Sequence, residues 1–481
     1  MPLTLFSLPD FTEDAAMRIH FPSLGCLIAA MLACVASSSP TFADDAVLGQ
    51  SAAAIADETP ALEPPDTAEP ESPTASIERA IRFYQARVER HPKVALNYIH
   101  LANQLVRKAK DHGDEACYPL AEQALQAALK LRPNDREALF ALAGVSCSRH
   151  QFREGLGFAK QVLEQDPSHM EAMAIVGDAQ MELGDYSAAE ASYGKIEQLF
   201  KQPAPGLWVR QAHLAEVRGQ TAVAQELLIR AVQNVVEGQE VSERTPRKVW
   251  YQVRLGHFYL DHGRLDDANT HLESAVAAQP KYFLALAGLA ELRTAQGRYD
   301  EALAAYGRTI AVVPDPIFFM ATGDIHTKMG RTEEARRDYE SAEKLILESD
   351  ATPAEYSREL SLFYSHRNLK SARALELAKT DLTVRQDIHA YDSLAWALYR
   401  NGLFDEAAEA IGKALQPGSK EARLHFHAGL IHHQLGQLDE ARTHLEQALA
   451  TNPQFGVLEA DEARRVLATL PAKPNSATVS Q

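Results

Sequence analysis

The sequence predicts an all-α solenoid, with about ten antiparallel helix-turn-helix units in series across residues 77–470. Three observations predict it. Gly, Ala and Pro recur in one phase over hundreds of residues, with Gly263 and Gly297, Ala268 and Ala302, and Pro280 and Pro314 each one period apart. Hydrophobic residues make up 46% of the chain but aromatic residues only 7%, so Ala and Leu supply most of the apolar surface. That balance suits close-packed helices better than sheets. Finally, 481 residues exceed one compact domain, whereas an array whose units touch only their neighbours has no such ceiling.

The chain starts with features of export. An apolar run at residues 24–35 is too short to span a bilayer, follows Met17, Arg18 and His20, and precedes Thr41, Phe42 and Ala43. A basic start, a short apolar centre and small residues before Asp44 describe a signal peptide over 1–43, cut after Ala43. Asp10, Glu13 and Asp14 are an odd beginning for one, so Met17 is a second candidate start. Ala33-Cys34 offers a lipoprotein cleavage site, although Met31 and Leu32 fit the positions before it poorly. The alternative is a plain core helix. Residues 44–76 are rich in Ala, Glu, Pro, Ser and Thr and have little to bury, so they read as a disordered tether, and 471–481 as a disordered tail.

The repeat itself is read from three positions. A small residue sits inside the first helix of each unit, as at Ala102, Gly177, Gly256, Gly323, Ala395 and Gly429. A Gly turn follows, as at Gly184, Gly263, Gly330, Gly402 and Gly436. The second helix opens on Ala and then presents a bulky residue, as at Tyr193, Leu272, Tyr339 and Leu445. Gly supplies the positive φ that ends the first helix. Small residues let the two helices approach and the bulky one fills the remaining gap. Pro92, Pro133, Pro167, Pro280, Pro314 and Pro453 stop the second helices, since proline cannot continue a helix interior.

In these positions the chain resembles the tetratricopeptide repeat. The resemblance covers nearly all of the chain after the tether. It implies a right-handed superhelical solenoid whose first helices line a concave groove for protein partners. Several units depart from the pattern. An insertion falls around 110–118, the stretches 237–247 and 348–354 interrupt the phase, and the unit at 354–387 lacks the Gly turn. A weak helix at 77–90 reads as an N-terminal cap and 456–470 as the C-terminal cap such arrays require.

Transferred to this chain, the family's groove implies inner-face positions that include His257, Asp261, Asp324, Lys328, Phe426 and His433. The sharpest cluster is Asp392, Trp396, Tyr399 and Arg400, one helical turn apart and rich in the residue types that anchor interfaces. The alternative is that Trp396 packs between neighbouring helices. Clamps for the acidic C-termini of cytosolic chaperones are disfavoured, since only Asn103 fits their Lys, Asn and Arg pattern.

Other chemistry is sparse in the sequence. His425, His427, His432 and His433 lack the spacing of a helical ligand pair flanking a carboxylate, so no metal site or cofactor is expected. No phosphate loop, dinucleotide-binding Gly cluster or nucleophile elbow is present, and the repeats leave no stretch for a catalytic domain. Cys117 and Cys147 sit at helix ends pointing the same way, which in an oxidising compartment suggests a disulfide. The alternative is two buried thiols. A formal charge of −17 argues against nucleic acid and anionic lipid as partners.

The expectation is therefore a non-enzymatic scaffold in a bacterial envelope, exported to the periplasm, with lipoprotein or secreted forms as variants. It has no transmembrane span in the mature chain and meets the membrane, if at all, through its protein partner. By analogy within the family, a subunit of a secretion or exopolysaccharide export machine is a second reading. A periplasmic protein that binds a metal or small ligand through its histidines is a third.

Overall fold

The computed structural model describes residues 73–200, 205–237, 245–348 and 356–471. The signal segment at 1–43, with Met17 and Cys34, lies outside them, as do most of the tether, most of both phase breaks and the tail beyond Pro471. Everything described is helix and turn. The first helix, α1 (Pro73–Arg90), begins inside the stretch read as tether, so the ordered array opens four residues earlier than expected. Proline is tolerated in a first turn, where its missing N–H has no partner to lose. Ile77 and Ile81 then seat the helix on the core.

Among the described residues, ten hairpins follow in series. The first five pair α2 (Ala95–His112) with α3 (Cys117–Leu131), α4 (Arg136–Ser148) with α5 (Phe152–Gln165), α6 (Met170–Glu182) with α7 (Tyr186–Leu199), α8 (Pro205–Val217) with α9 (Thr221–Glu237), and α10 (Thr245–Asp261) with α11 (Leu265–Ala278). The next three pair α12 (Phe283–Ala295) with α13 (Tyr299–Val312), α14 (Pro316–Lys328) with α15 (Thr332–Leu347), and α16 (Ser357–His366) with α17 (Ser371–Val384). The last two pair α18 (Ile388–Arg400) with α19 (Phe404–Leu415) and α20 (Ala422–Gln434) with α21 (Leu438–Thr451), and α22 (Glu459–Thr469) closes the series. Asp135, Asp185, Asp315 and Asp387 cap helix starts by accepting from backbone N–H groups, which satisfies donors the helix itself leaves unpaired.

Among the described residues every hairpin turns through a left-handed residue: a Gly in eight of them, from Gly113 to Gly436, His150 (φ 59°) in the second, and both Asn368 (φ 52°) and Lys370 (φ 43°) in the eighth. His and Asn tolerate this region better than most other side chains. The unit that lacks a Gly turn reverses instead through Asn368 and Lys370. Inside the hairpins the small-to-large pairing holds: a Cβ on Gly177 would sit 2.2 Å from the Tyr193 ring, and one on Gly429 would sit 2.6 Å from Leu445.

The apolar core crosses both phase breaks. One cluster joins Val232 to Val249, and another joins Ile346 to Leu360. The solenoid also packs against itself one superhelical turn later. The Gln386 N–H donates to the Glu182 carbonyl (2.9 Å), the Ile388 N–H to the Tyr186 hydroxyl (2.9 Å), and the Asn452 amide to the Leu260 carbonyl (2.9 Å). A shared apolar cluster runs from Met173–Val217 to Ile388–Ile431. The turns of the third to fifth hairpins thus lie against the loops that follow the eighth to tenth, forming a seam.

The expected Cys117–Cys147 disulfide is not formed. Both thiols are free and buried. Cys117 opens α3 beside Lys108 and Asp114, while Cys147 packs against Gly155 in the next unit, so the two belong to separate core clusters. Burial pushes the Cys117 thiol up to about 12 and the Cys147 thiol higher still, as expected for inert core cysteines.

Candidate functional site

The residues expected on the inner surface separate into three places. Asp392, Trp396, Tyr399, Arg400 and Phe426 form one cluster on α18 and α20. Trp396 has no exposed surface. Its ring stacks on Tyr399 (4.7 Å between centroids, 4° between planes) and on His427 (4.2 Å, 15°), and the Arg400 guanidinium lies over it at 4.4 Å. The sequence left Trp396 open as an anchor for a partner or as packing between neighbouring helices, and its ring is covered by the chain itself. It packs between helices and orients Arg400, whose Nε donates to the Ser365 carbonyl (2.7 Å). Asp392 is buried as well, with its Oδ1 2.7 Å from His427 Nδ1.

A cavity of about 40 Å³, room for a few water molecules, lies above this cluster. It joins four expected residues, Asp324, Trp396, Arg400 and Phe426, to His366, Arg367, Leu458, Glu459 and Glu462. Asp324 accepts from Arg367 (2.6 Å) and from the Tyr339 hydroxyl (2.7 Å). Burial nevertheless raises its carboxyl to about 6, because Arg367 offsets only part of the lost hydration. Burial also holds the His366 imidazole well below its ordinary value, with His427 adding to the effect, so it is neutral. Arg367 is clamped over the rings of Tyr339 (4.3 Å) and Phe363 (4.5 Å). Lys328, at the end of α14, forms an ion pair with Asp461 of α22.

His257 and Asp261 lie elsewhere, on α10, facing the interior of the superhelix. Burial works against a charge on His257, but Glu291 at 3.4 Å outweighs it and holds the imidazole above its ordinary value. Asp261 is exposed to water, with Glu216 and Glu421 nearby pushing its carboxyl up and His257 pulling it down. Arg423 of α20 is likewise water-accessible while it neighbours Glu459, Glu421 and Asp261. The interior is thus a wet, charged surface. His433 is half-buried at the end of α20 and joins neither group. Among the other histidines, His425 and His444 face each other through Nδ1 (2.9 Å) while His432 stacks on His444. Among the described residues, no three side chains converge as metal ligands.

Sequence reasoning missed His366, Arg367 and the acidic first turn of α22. A signal for the first was present. Lys328, His366 and Arg400 each stand two residues before a left-handed turn residue, namely Gly330, Asn368 and Gly402. With Asn368 taken as the turn, His366 falls into phase with the two cations. The α22 acids had no comparable signal, because a capping helix is expected to be polar.

Comparison with known proteins agrees with this architecture. Two family models, both described as tetratricopeptide repeat, match residues 259–324, and 148–202 with 393–454. A curated human protein, the protein O-mannosyl-transferase TMTC1, is 28% identical over 219 residues, which is 44% of this chain. The chain spans only 24% of that protein's length. Among solved structures, yeast Tom70 aligns over 78% of this chain and 95% of its own at 13% identity and a TM-score of 0.33. A human IFIT1 dimer with PPP-AAAA aligns over 71% of this chain and 77% of its own at 17% identity and a TM-score of 0.41.

Proposed function

Because this chain is a tetratricopeptide repeat protein, we propose that it is a scaffold that holds a protein partner on the inner surface of its solenoid, and that it works in a bacterial cell envelope after export. The observation that carries the scaffold reading is the interior itself. Ten hairpins spend their apolar faces on one another, and their first helices leave Asp261, His389, Glu421 and Arg423 inside, in contact with water. Such charged, hydrated side chains add little to folding and supply the polar contacts that fix a partner's register. The envelope setting rests on the leader-like segment ending at Ala43 and the Pro-rich stretch after it. The transferase activity in the human relative's name is not part of the proposal, since the match spans a quarter of that protein. No catalytic role is proposed.

The test is affinity capture from envelope fractions after crosslinking. Full chain should capture a defined protein. Arg400→Glu with Arg423→Glu on the inner surface should reduce that capture at least about tenfold, a loss of about 1.4 kcal/mol of binding. Glu376→Lys with Glu409→Lys, both exposed on second helices, should leave it unchanged. Equal capture by all three would contradict the inner-surface reading, and so would loss only in the outer variant.

A further inference from the structure

We propose, resting on the scaffold reading, that α22 is an intramolecular occupant of the partner site, and that a partner helix with the same chemistry, an acidic first turn backed by small residues, displaces it. Charge is the first argument. The opening turn of α22 carries Glu459, Asp461 and Glu462. It faces the ends of α14, α16 and α18, where Lys328, His366 and Arg400 occupy one repeat position in three successive units. Asp461 pairs with Lys328, and Glu459 Oε1 lies 3.4 Å from His366 Nδ1. A helix N-terminus adds its own partial positive charge, so acidic side chains are stable there, and Asp461 reaches across to the Lys328 cation.

The second argument is that α22 fits this floor loosely. The cavity remains between its first turn and Trp396, Arg367 and Arg400. On the floor, Trp396 Nε1 and Arg367 Nε are buried without a hydrogen-bond partner in the chain. Meanwhile two of the acids also turn back on their own segment. Glu459 Oε2 accepts from the Leu458 N–H (3.3 Å), and the ion partner of Glu462 is Arg465 of the same helix (3.6 Å). Buried donors and a nearby carboxylate that does not reach them are a mismatch, because an unmade buried hydrogen bond is costly. A helix placed slightly deeper, or with longer acidic side chains at the matching positions, would satisfy both donors.

The third argument is that α22 can leave. It fully buries only Ala460 and Ala463 along its length, with Val466 and Leu467 partly buried against the core, and then Leu470 beyond its end. Its far end is held by Arg442, which donates to the Leu470 carbonyl (3.1 Å). The preceding loop has its own pin, through Asn452 on the Leu260 carbonyl, and Arg464 of α22 donates to the Pro453 carbonyl of that loop. Gly456 lies between that pin and the helix and allows a pivot. A helix held by little apolar area belongs to the least stable part of a fold, the part from which displaceable elements are drawn. A partner with higher affinity for the uncovered surface shifts the population accordingly.

The experiment uses the full chain and, as probe, a fluorescent peptide with this chain's own residues 456–471. In one variant Glu459→Lys and Asp461→Lys set like charges against Lys328, which loosens α22 without removing it. We expect this variant to bind the peptide at least about tenfold more tightly than the unaltered chain, which already holds its own copy. Adding Lys328→Glu and Arg367→Ala should abolish that binding. Equal binding by the variant and the unaltered chain, or no binding by the variant, overturns the proposal. Hydrogen exchange on the unaltered chain covers the case in which the variant misfolds. Excess peptide should strip protection from 459–469 while α20 and α21 keep theirs, and protection unchanged by peptide overturns the proposal. Partner capture that depends on the inner surface, without peptide binding, would remove α22 from the account and leave the scaffold standing. Peptide binding without capture would do the reverse.

Discussion

Lys328, His366 and Arg400 share one repeat position, and of the three only His366 is uncharged. Lys328 is paired with Asp461, Arg400 is spread over Trp396, and burial keeps His366 neutral. Asp324 beside them is the residue whose ionisation is easiest to follow. Burial raises its carboxyl to about 6 in the folded chain, above the usual value near 4. A carboxyl raised on folding favours the folded state fully below its unfolded value, and this contribution is lost as pH climbs through about 6. The loss amounts to at most about 3 kcal/mol. Asp324→Asn keeps the shape and the contact with Tyr339 but has no proton to lose. Its melting temperature should fall less than that of the unaltered chain between pH 4 and pH 7. The same fall in both chains would show that Asp324 is not the group responsible. Trp396 carries the other lesson at this scale. Its face was correctly placed by helical spacing, but spacing does not say whether a face meets solvent or a neighbouring helix. Here His427 and Tyr399 take both sides of the ring.

At the scale of the element, hairpins were legible because their turns need a chemistry that few residues supply. Gly184, Gly263, Gly330, Gly402 and Gly436 were read in phase and all adopt positive φ. His150 and Asn368 were not recognised as turns, because each tolerates the left-handed region without being confined to it. The geometry of the 354–387 unit was therefore open in the sequence, and in the structure it is a hairpin with two left-handed turn residues, Asn368 and Lys370. Asn368→Gly should hold stability within about 0.5 kcal/mol, while Asn368→Val should lose about 1–2 kcal/mol, the cost of a branched side chain in that region. Denaturant unfolding of both variants measures the difference, and equal stability would contradict the assignment of Asn368 as the turn. The first helix began four residues early for a related reason: a segment poor in large apolar residues resembles a tether whether or not its last turn is helical.

At the scale of the whole molecule, the seam was invisible to repeat reading, because it joins residues about 200 positions apart, through one backbone–backbone hydrogen bond, the Tyr186 hydroxyl and the Asn452 amide, none of which carries a signal in the repeat. The tetratricopeptide pattern fixes how neighbours stack, and the small rotations of each unit accumulate into a shape the motif does not encode. Gly184 marks the seam. A Cβ there would lie 2.3 Å from the Gln386 carbonyl oxygen, a backbone atom held by its own contacts. Gly184→Ala should part the superhelical turns, raising the radius of gyration in X-ray scattering while circular dichroism keeps its helical signal. An unchanged radius would mean that the seam does not set the overall shape.

The most direct test of the account is site-specific photo-crosslinking in cells, with the reactive group placed in turn at Tyr399 and Arg423 on the inner surface and at Glu376 and Glu409 on the exposed second helices. The account predicts adducts to one partner protein from the two inner positions and none from the two outer ones. Adducts from the outer positions alone would contradict it.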